Sequence, residues 1–208
     1  MACAAPVYGY NLTNRKDVTA LNNIFHFSGP ISVFTMQNLR GCILDAMRPG
    51  NTQKLMIFIS SEGGDVTAGI AMYNFLRSMP VPVETYNFGA IESVAVFVYL
   101  AGGKRYTLPD ARFLLHGFTR NFASASQPYP AIRESIVSLD SHSSICMNIF
   151  EERTKGAQAE IDIKNNMLGE ARILTPAESI PAGIARRIVT PEEIGAISGT
   201  HWNVNVSG

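Results

Sequence analysis

The chain has 208 residues, 46% of them hydrophobic and 16% charged, a balance that fits one folded domain with a modest appendage and excludes a disordered or low-complexity polypeptide. Seventeen Lys+Arg offset seventeen Asp+Glu, so no overall positive field exists to hold a phosphate backbone and nucleic acid is not an expected partner. Little electrostatic repulsion then keeps copies of this apolar chain apart, and a homo-oligomer is expected.

Apolar strand-like and helix-like runs alternate along the chain, which points to an α/β architecture. Ile24 to Phe27 reads as a strand, broken by Ser28-Gly29-Pro30. Phe34, Leu39, Ile43, Leu44 and Met47 then fall close to helical spacing, ending before Pro49-Gly50. The continuous run Leu55 to Ile59 is the pattern of a strand covered on both faces and predicts the sheet centre. Past Ser60 to Asp65, a helix with Ile70, Tyr73, Phe75, Leu76 and Met79 inward is stopped by Pro80 and Pro82. Val83 to Phe88 reads as a strand broken by Gly89. Ser93 to Leu100 reads as a short, all-apolar, buried helix ending at Gly102-Gly103.

Arg105 to Leu108 and Arg112 to Leu115 predict short strands around a Pro109-Asp110 turn, with His116 where the second ends. Residues 118–130 have loop composition. A long helix from Ala131 to about Arg153 presents Ile132, Ile136, Leu139, Ile145, Ile149 and Phe150. A helix from Ala157 to Leu168, a strand at Arg172 to Leu174, a helix starting near Pro176 and a strand from Ile184 to Val189 follow. The expected layout is a flexible N-terminal segment (1–23), one α/β domain (24–195) and a polar tail (196–208). The longest apolar stretch, Val94 to Ala101, is far below the roughly 20 residues that span a bilayer, so no membrane segment is expected. Cys3, Cys42 and Cys146 are too few and too widely spaced for a disulfide framework or a metal site, and a reducing cytoplasm is the expected location.

Three segments carry candidate chemistry. Ser61-Glu62-Gly63-Gly64-Asp65 joins a central strand to a helix, where paired glycines bring amide N–H groups close to an anion or oxyanion, or simply make the turn. Ser93, at the first turn of a buried helix, is either a nucleophile favoured by the helix dipole or a helix cap. His116 stands twenty-three residues later and is either the base that a serine hydroxyl needs or a structural histidine. His26 reads as half-buried strand, His142 as helix surface and His201 as tail; the four are not at metal-ligand spacing, and no metal or cofactor is expected.

The ordered set SxGG, then GxxxSxA, then an apolar strand ending in His resembles the proteolytic subunit of the Clp-type (caseinolytic) serine proteases. The likeness covers roughly residues 24 to 190 and includes Lys104-Arg105-Tyr106, Leu108-Pro109, the long helix, and Leu174-Thr175-Pro176-Ala177-Glu178 through Gly183. It implies a crotonase/Clp-like spiral of strand-strand-helix units with a protruding long helix. On the same resemblance Ser93 matches the nucleophile, His116 the general base, and the Gly64 and Val94 amides the oxyanion hole. Stacked rings, unfolded-protein or peptide substrates and an AAA+ ATPase unfoldase partner are likewise implied.

Three positions depart from that pattern. Where the family places the triad aspartate this chain has Ala171, leaving Glu170 and Asp162 as candidate third members, with Asn165 in the same segment. Glu62 replaces a usual proline. Glu92 sits directly before the nucleophile, where a negative charge opposes an oxyanion unless an Arg or Lys pairs with it. Serine endopeptidase activity is the leading expectation; a catalytically impaired ring subunit and a crotonase-like acyl-CoA enzyme are the alternatives.

Overall fold

The computed structural model describes residues 21–122 and 126–206; the N-terminal segment up to residue 20 and part of the predicted 118–130 loop lie outside them. Three parallel strands, β1 (Leu21–Ser28), β2 (Thr52–Ser61) and β3 (Val83–Glu92), form the middle of the sheet. Leu55 to Ile59 on β2 is buried along its whole length, as its unbroken apolar run requires. β3 changes neighbours along its length. Its first part, Glu84 to Asn87, pairs with β4 (Lys104–Thr107), and its last, Ala90 to Glu92, pairs with β5 (Arg112–Leu115).

That switch explains why Gly89 does not break the strand as its sequence suggests. A side chain at Gly89 would sit 3.1 Å from the Ser60 hydroxyl, and the β2–β3 register shifts nearby, between Ile59 and Ser61. The glycine admits this irregularity, and the strand runs on to Glu92. β6 (Arg172–Leu174) adds antiparallel to β5.

Helix α1 (Val33–Met47) starts at a capping box in which Ser32 and Thr35 serve each other. Asp65 caps α2 (Val66–Arg77) by accepting the Ala68 N–H. Every residue of α3 (Val94–Leu100) is buried, in line with its uniform apolarity. Gly69 on α2 lets α3 pack closely, because a side chain there would overlap Val94. α4 (Tyr129–Thr154) is the expected long helix: Cys146, Ile149 and Phe150 join the core, while Tyr129, Ile132, Ile136 and Val137 stay exposed. α5 (Ile163–Leu168) is shorter than the predicted 157–168 helix because Asp162 caps it at that point. α6 (Pro176–Ser179), β7 (Arg187–Ile188), α7 (Pro191–Gly195) and β8 (Thr200–Asn203) complete the chain.

Within the segment read as a polar tail, β8 pairs in parallel with β1, and Trp202 stacks on Phe25 with centroids 6.1 Å apart. His26 and His201 meet across this pair, Nε2 to Nδ1 at 2.9 Å. The main core lies on the side of the sheet that carries α1 to α3. A smaller cluster of Ile24, Met56, Phe58, Tyr86 and Val189 is partly covered by Ile194 and Ile197. Among the described residues no helix is long and apolar enough to cross a membrane. Cys146 is a buried free thiol, whose burial pushes its pKa up to about 12. Cys42 is disulfide-bonded.

Candidate active site

The site forms where β3 ends. Ser93 follows Glu92 and is, among the described residues, the one non-glycine with positive φ, at 55°. An L-residue held there costs of order 1–3 kcal/mol, which the surrounding packing must hold in place. One contact and the turn that follows it impose it. The Ser93 N–H donates to the Leu114 carbonyl at 2.9 Å, continuing the β3–β5 ladder, and the chain then turns at once into α3. Although Ser93 occupies the N-cap place of α3, its side chain makes no capping hydrogen bond. The hydroxyl is not spent on the helix.

The Gly63-Gly64 turn closes over this serine. Gly63 has φ 92°, and a side chain on it would lie 2.7 Å from Ser93 Cβ and 3.4 Å from its Oγ. Its own N–H donates to the Ser61 hydroxyl at 3.1 Å. Ile31 N–H donates to the Gly63 carbonyl at 2.7 Å, and Asp65 N–H donates to the Ile31 carbonyl at 2.8 Å. Alternate peptide groups of an extended segment point to opposite sides, so the Gly64 N–H turns away from Ile31. A side chain at Gly64 would collide with the Ile31 carbonyl, which makes glycine obligatory there. Val94 N–H, the first amide of α3, has no partner inside its helix.

His116 sits one residue beyond β5, two residues past the Leu114 that receives the Ser93 amide. Phe113 and Leu115 are buried while Arg112, Leu114 and His116 are not, so the last three share one face of the strand. The His116 Nδ1 lies 2.7 Å from the Gly117 carbonyl. A carbonyl only accepts, so Nδ1 carries a proton, and in the neutral ring Nε2 is then the nitrogen with the lone pair. Among the described residues no hydrogen bond joins His116 to Ser93 or to a carboxylate.

The candidate third members stand elsewhere. Asp162 is exposed and accepts the Asn165 N–H at 2.9 Å as the cap of α5. Glu170 is exposed, and its backbone carbonyl accepts from the Asn166 side chain. The β5–β6 register pairs Leu114 with Ile173 and Leu115 with Arg172; one step further sets His116 against Ala171. Glu62 is exposed. Glu92 is 7% exposed and binds Arg112 through Nη2 at 2.6 Å and Nε at 2.8 Å, the Arg or Lys partner that its position demanded. Sequence reasoning missed the Gly117 carbonyl and the Ser61 hydroxyl, and neither leaves a sequence signal: a backbone acceptor is blind to residue type, and a serine in a turn has many uses. Among the described residues no cluster of three His, Cys, Asp or Glu could hold a metal ion.

With this geometry in view, residues 20–192 match the model of the Clp protease family. The chain belongs to the Clp protease family. It is 42% identical over 67 residues to the ATP-dependent Clp protease proteolytic subunit 1 of Corynebacterium jeikeium, covering 31% of this chain and 36% of that one. Proteolytic subunit 2 of Chlamydia trachomatis is 34% identical over 114 residues, 54% of this chain and 55% of its own length. The chain therefore spans about half or less of the curated relatives it matches. A solved structure of a ClpP1 mutant from Listeria monocytogenes superposes with a TM-score of 0.68 at 21% identity, over 82% of this chain and 92% of that one. The α/β fold with its long helix is thus that of the Clp proteolytic subunits.

Proposed function

We propose that this Clp-family chain is a serine endopeptidase. Ser93 Oγ attacks a peptide carbonyl, the His116 Nε2 lone pair takes the hydroxyl proton, and the Gly64 and Val94 amides receive the oxyanion. His116 then returns the proton to the leaving amine, and water releases the acyl-enzyme by the same route. The observation that carries the reading is Ser93 itself: a strained φ of 55°, an uncommitted hydroxyl and a glycine turn packed against its Cβ. A histidine tautomer with its proton on Nδ1 supports it. The family resemblance adds a homo-oligomeric ring, unfolded or peptide substrates and an AAA+ unfoldase partner.

A serine-reactive fluorophosphonate tests the reading. Labelling at one site per chain, lost in Ser93→Ala, is expected; no labelling of the folded protein would overturn it. Ala171 facing His116 favours a second reading, a catalytically impaired ring subunit, and an unlabelled ring is its expected outcome.

A further inference from the structure

Glu92 is an unusual neighbour for a nucleophile. The residue is 7% exposed, it directly precedes Ser93, and β3–β5 pairing sets it beside Leu114, whose carbonyl holds the Ser93 amide. A negative charge there opposes an oxyanion forming on the Gly64 and Val94 amides, the more so because little water reaches it to screen it. Arg112 answers that charge. Its guanidinium places Nη2 and Nε on the same Glu92 oxygen, at 2.6 and 2.8 Å.

The direction of this contact matters as much as its charge. On β5, Arg112 pairs with Ala90 and Leu114 pairs with Glu92, so Arg112 lies one step back along the strand from Glu92. His116 lies one step forward, on the same face. Arg112 therefore draws the carboxylate away from the imidazole as well as neutralising it. We infer that Arg112 is a positioning residue: it holds Glu92 back from the Ser93–His116 site and keeps the oxyanion position free of an opposing charge. The inference rests on the serine endopeptidase reading.

The test is a double-mutant cycle read by fluorophosphonate labelling rate at Ser93, with thermal melting to follow the fold. Arg112→Gln frees the carboxylate, and labelling is expected to slow about tenfold or more. Arg112→Lys keeps the cation and is expected to retain most of the rate. In an E92Q background, R112Q should change the rate less than twofold relative to E92Q alone, because the charge that Arg112 answers is gone. A merely structural Arg112 would slow labelling equally in both backgrounds, which overturns the inference. So does an R112Q rate that is unchanged, or one that rises because Glu92 swings to His116 and serves it. If R112Q unfolds, R112M is compared with the wild type and R112M/E92Q with E92Q in the same way: a slowing present with Glu92 and absent with Gln upholds the inference, and a slowing of equal size in both, or none, overturns it. No labelling of the wild type defeats the endopeptidase reading, and the inference falls with it; labelling of the wild type with R112Q unaffected defeats the inference alone.

Discussion

Leu115 pairs with Arg172 at the end of the β5–β6 ladder, and that register, carried one residue further, sets Ala171 against His116. The pairs Phe113–Leu174, Leu114–Ile173 and Leu115–Arg172 lead directly to it, and facing residues in an antiparallel pair have Cβ atoms only about 5 Å apart. An aspartate at that place could accept the Nδ1–H that now goes to the Gly117 carbonyl 2.7 Å away. A carbonyl dipole fixes the tautomer but stabilises the imidazolium less than a full negative charge. Losing the orienting acid of a serine triad costs about 10⁴ in rate, so Ala171→Asp should accelerate fluorophosphonate labelling by at least about tenfold. An unchanged rate would mean that His116 is not the working base.

Gly63 makes a second, steric prediction. At φ 92° a Gly63→Ala side chain would lie 2.7 Å from Ser93 Cβ and 2.9 Å from the Glu92 carbonyl. The change should cost about 1–3 kcal/mol in backbone strain and abolish labelling by displacing the serine. Gly50→Ala supplies the control: φ is 74° but nothing lies within 4 Å of the added carbon. It should lower the melting temperature and leave labelling intact.

The succession of strands and helices along the chain, and the place of Ser93 between a strand and a buried helix, were legible because they rest on apolar periodicity and on glycines with a steric reason. Leu55 to Ile59 could only be a covered strand, and the all-apolar Val94 to Leu100 could only be a buried helix. Less legible were features set by partners far away in the chain. Gly89 reads as a breaker until β3 is seen to exchange β4 for β5 near it. Thr200 to Asn203 has no apolar alternation of its own and becomes β8 only because β1 presents an open edge. The place that the family resemblance gives to its triad aspartate was legible as Ala171, whereas the acceptor beside His116 Nδ1 is a backbone atom, the Gly117 carbonyl.

Arg105 shows how much of the scaffold beneath the site depends on one buried cation. It is 4% exposed, and its guanidinium donates to the carbonyls of Ile184, Gly102, Arg153 and Gly183. Burial lowers its pKa to about 10, still well above neutral, so it remains charged. Four carbonyls from three separate places in the chain are satisfied by one fork that lysine cannot reproduce. Arg105→Lys should destabilise the fold by about 3 kcal/mol, since each buried carbonyl left unpaired costs about 1–3 kcal/mol. Urea unfolding measures it, and a loss below about 0.5 kcal/mol, the range of ordinary surface substitutions, would show that these contacts are replaceable.

The His26–His201 contact gives the docking of β8 a pH dependence of definite sign. Two imidazole nitrogens 2.9 Å apart can share one proton but not accommodate two. The His26 pKa is held below its ordinary 6.5, first by burial and then by His201. The unfolded chain therefore takes up this proton at higher pH than the folded one does, and stability present above pH 6.5 is lost as the pH falls below it. Half-burial of His26 keeps the effect small. The melting temperature of the wild type should fall between pH 7.5 and 5.5, by less in His201→Asn, where only burial remains, and by less still in His26→Phe. An equal fall in all three proteins would place the pH sensitivity elsewhere in the chain.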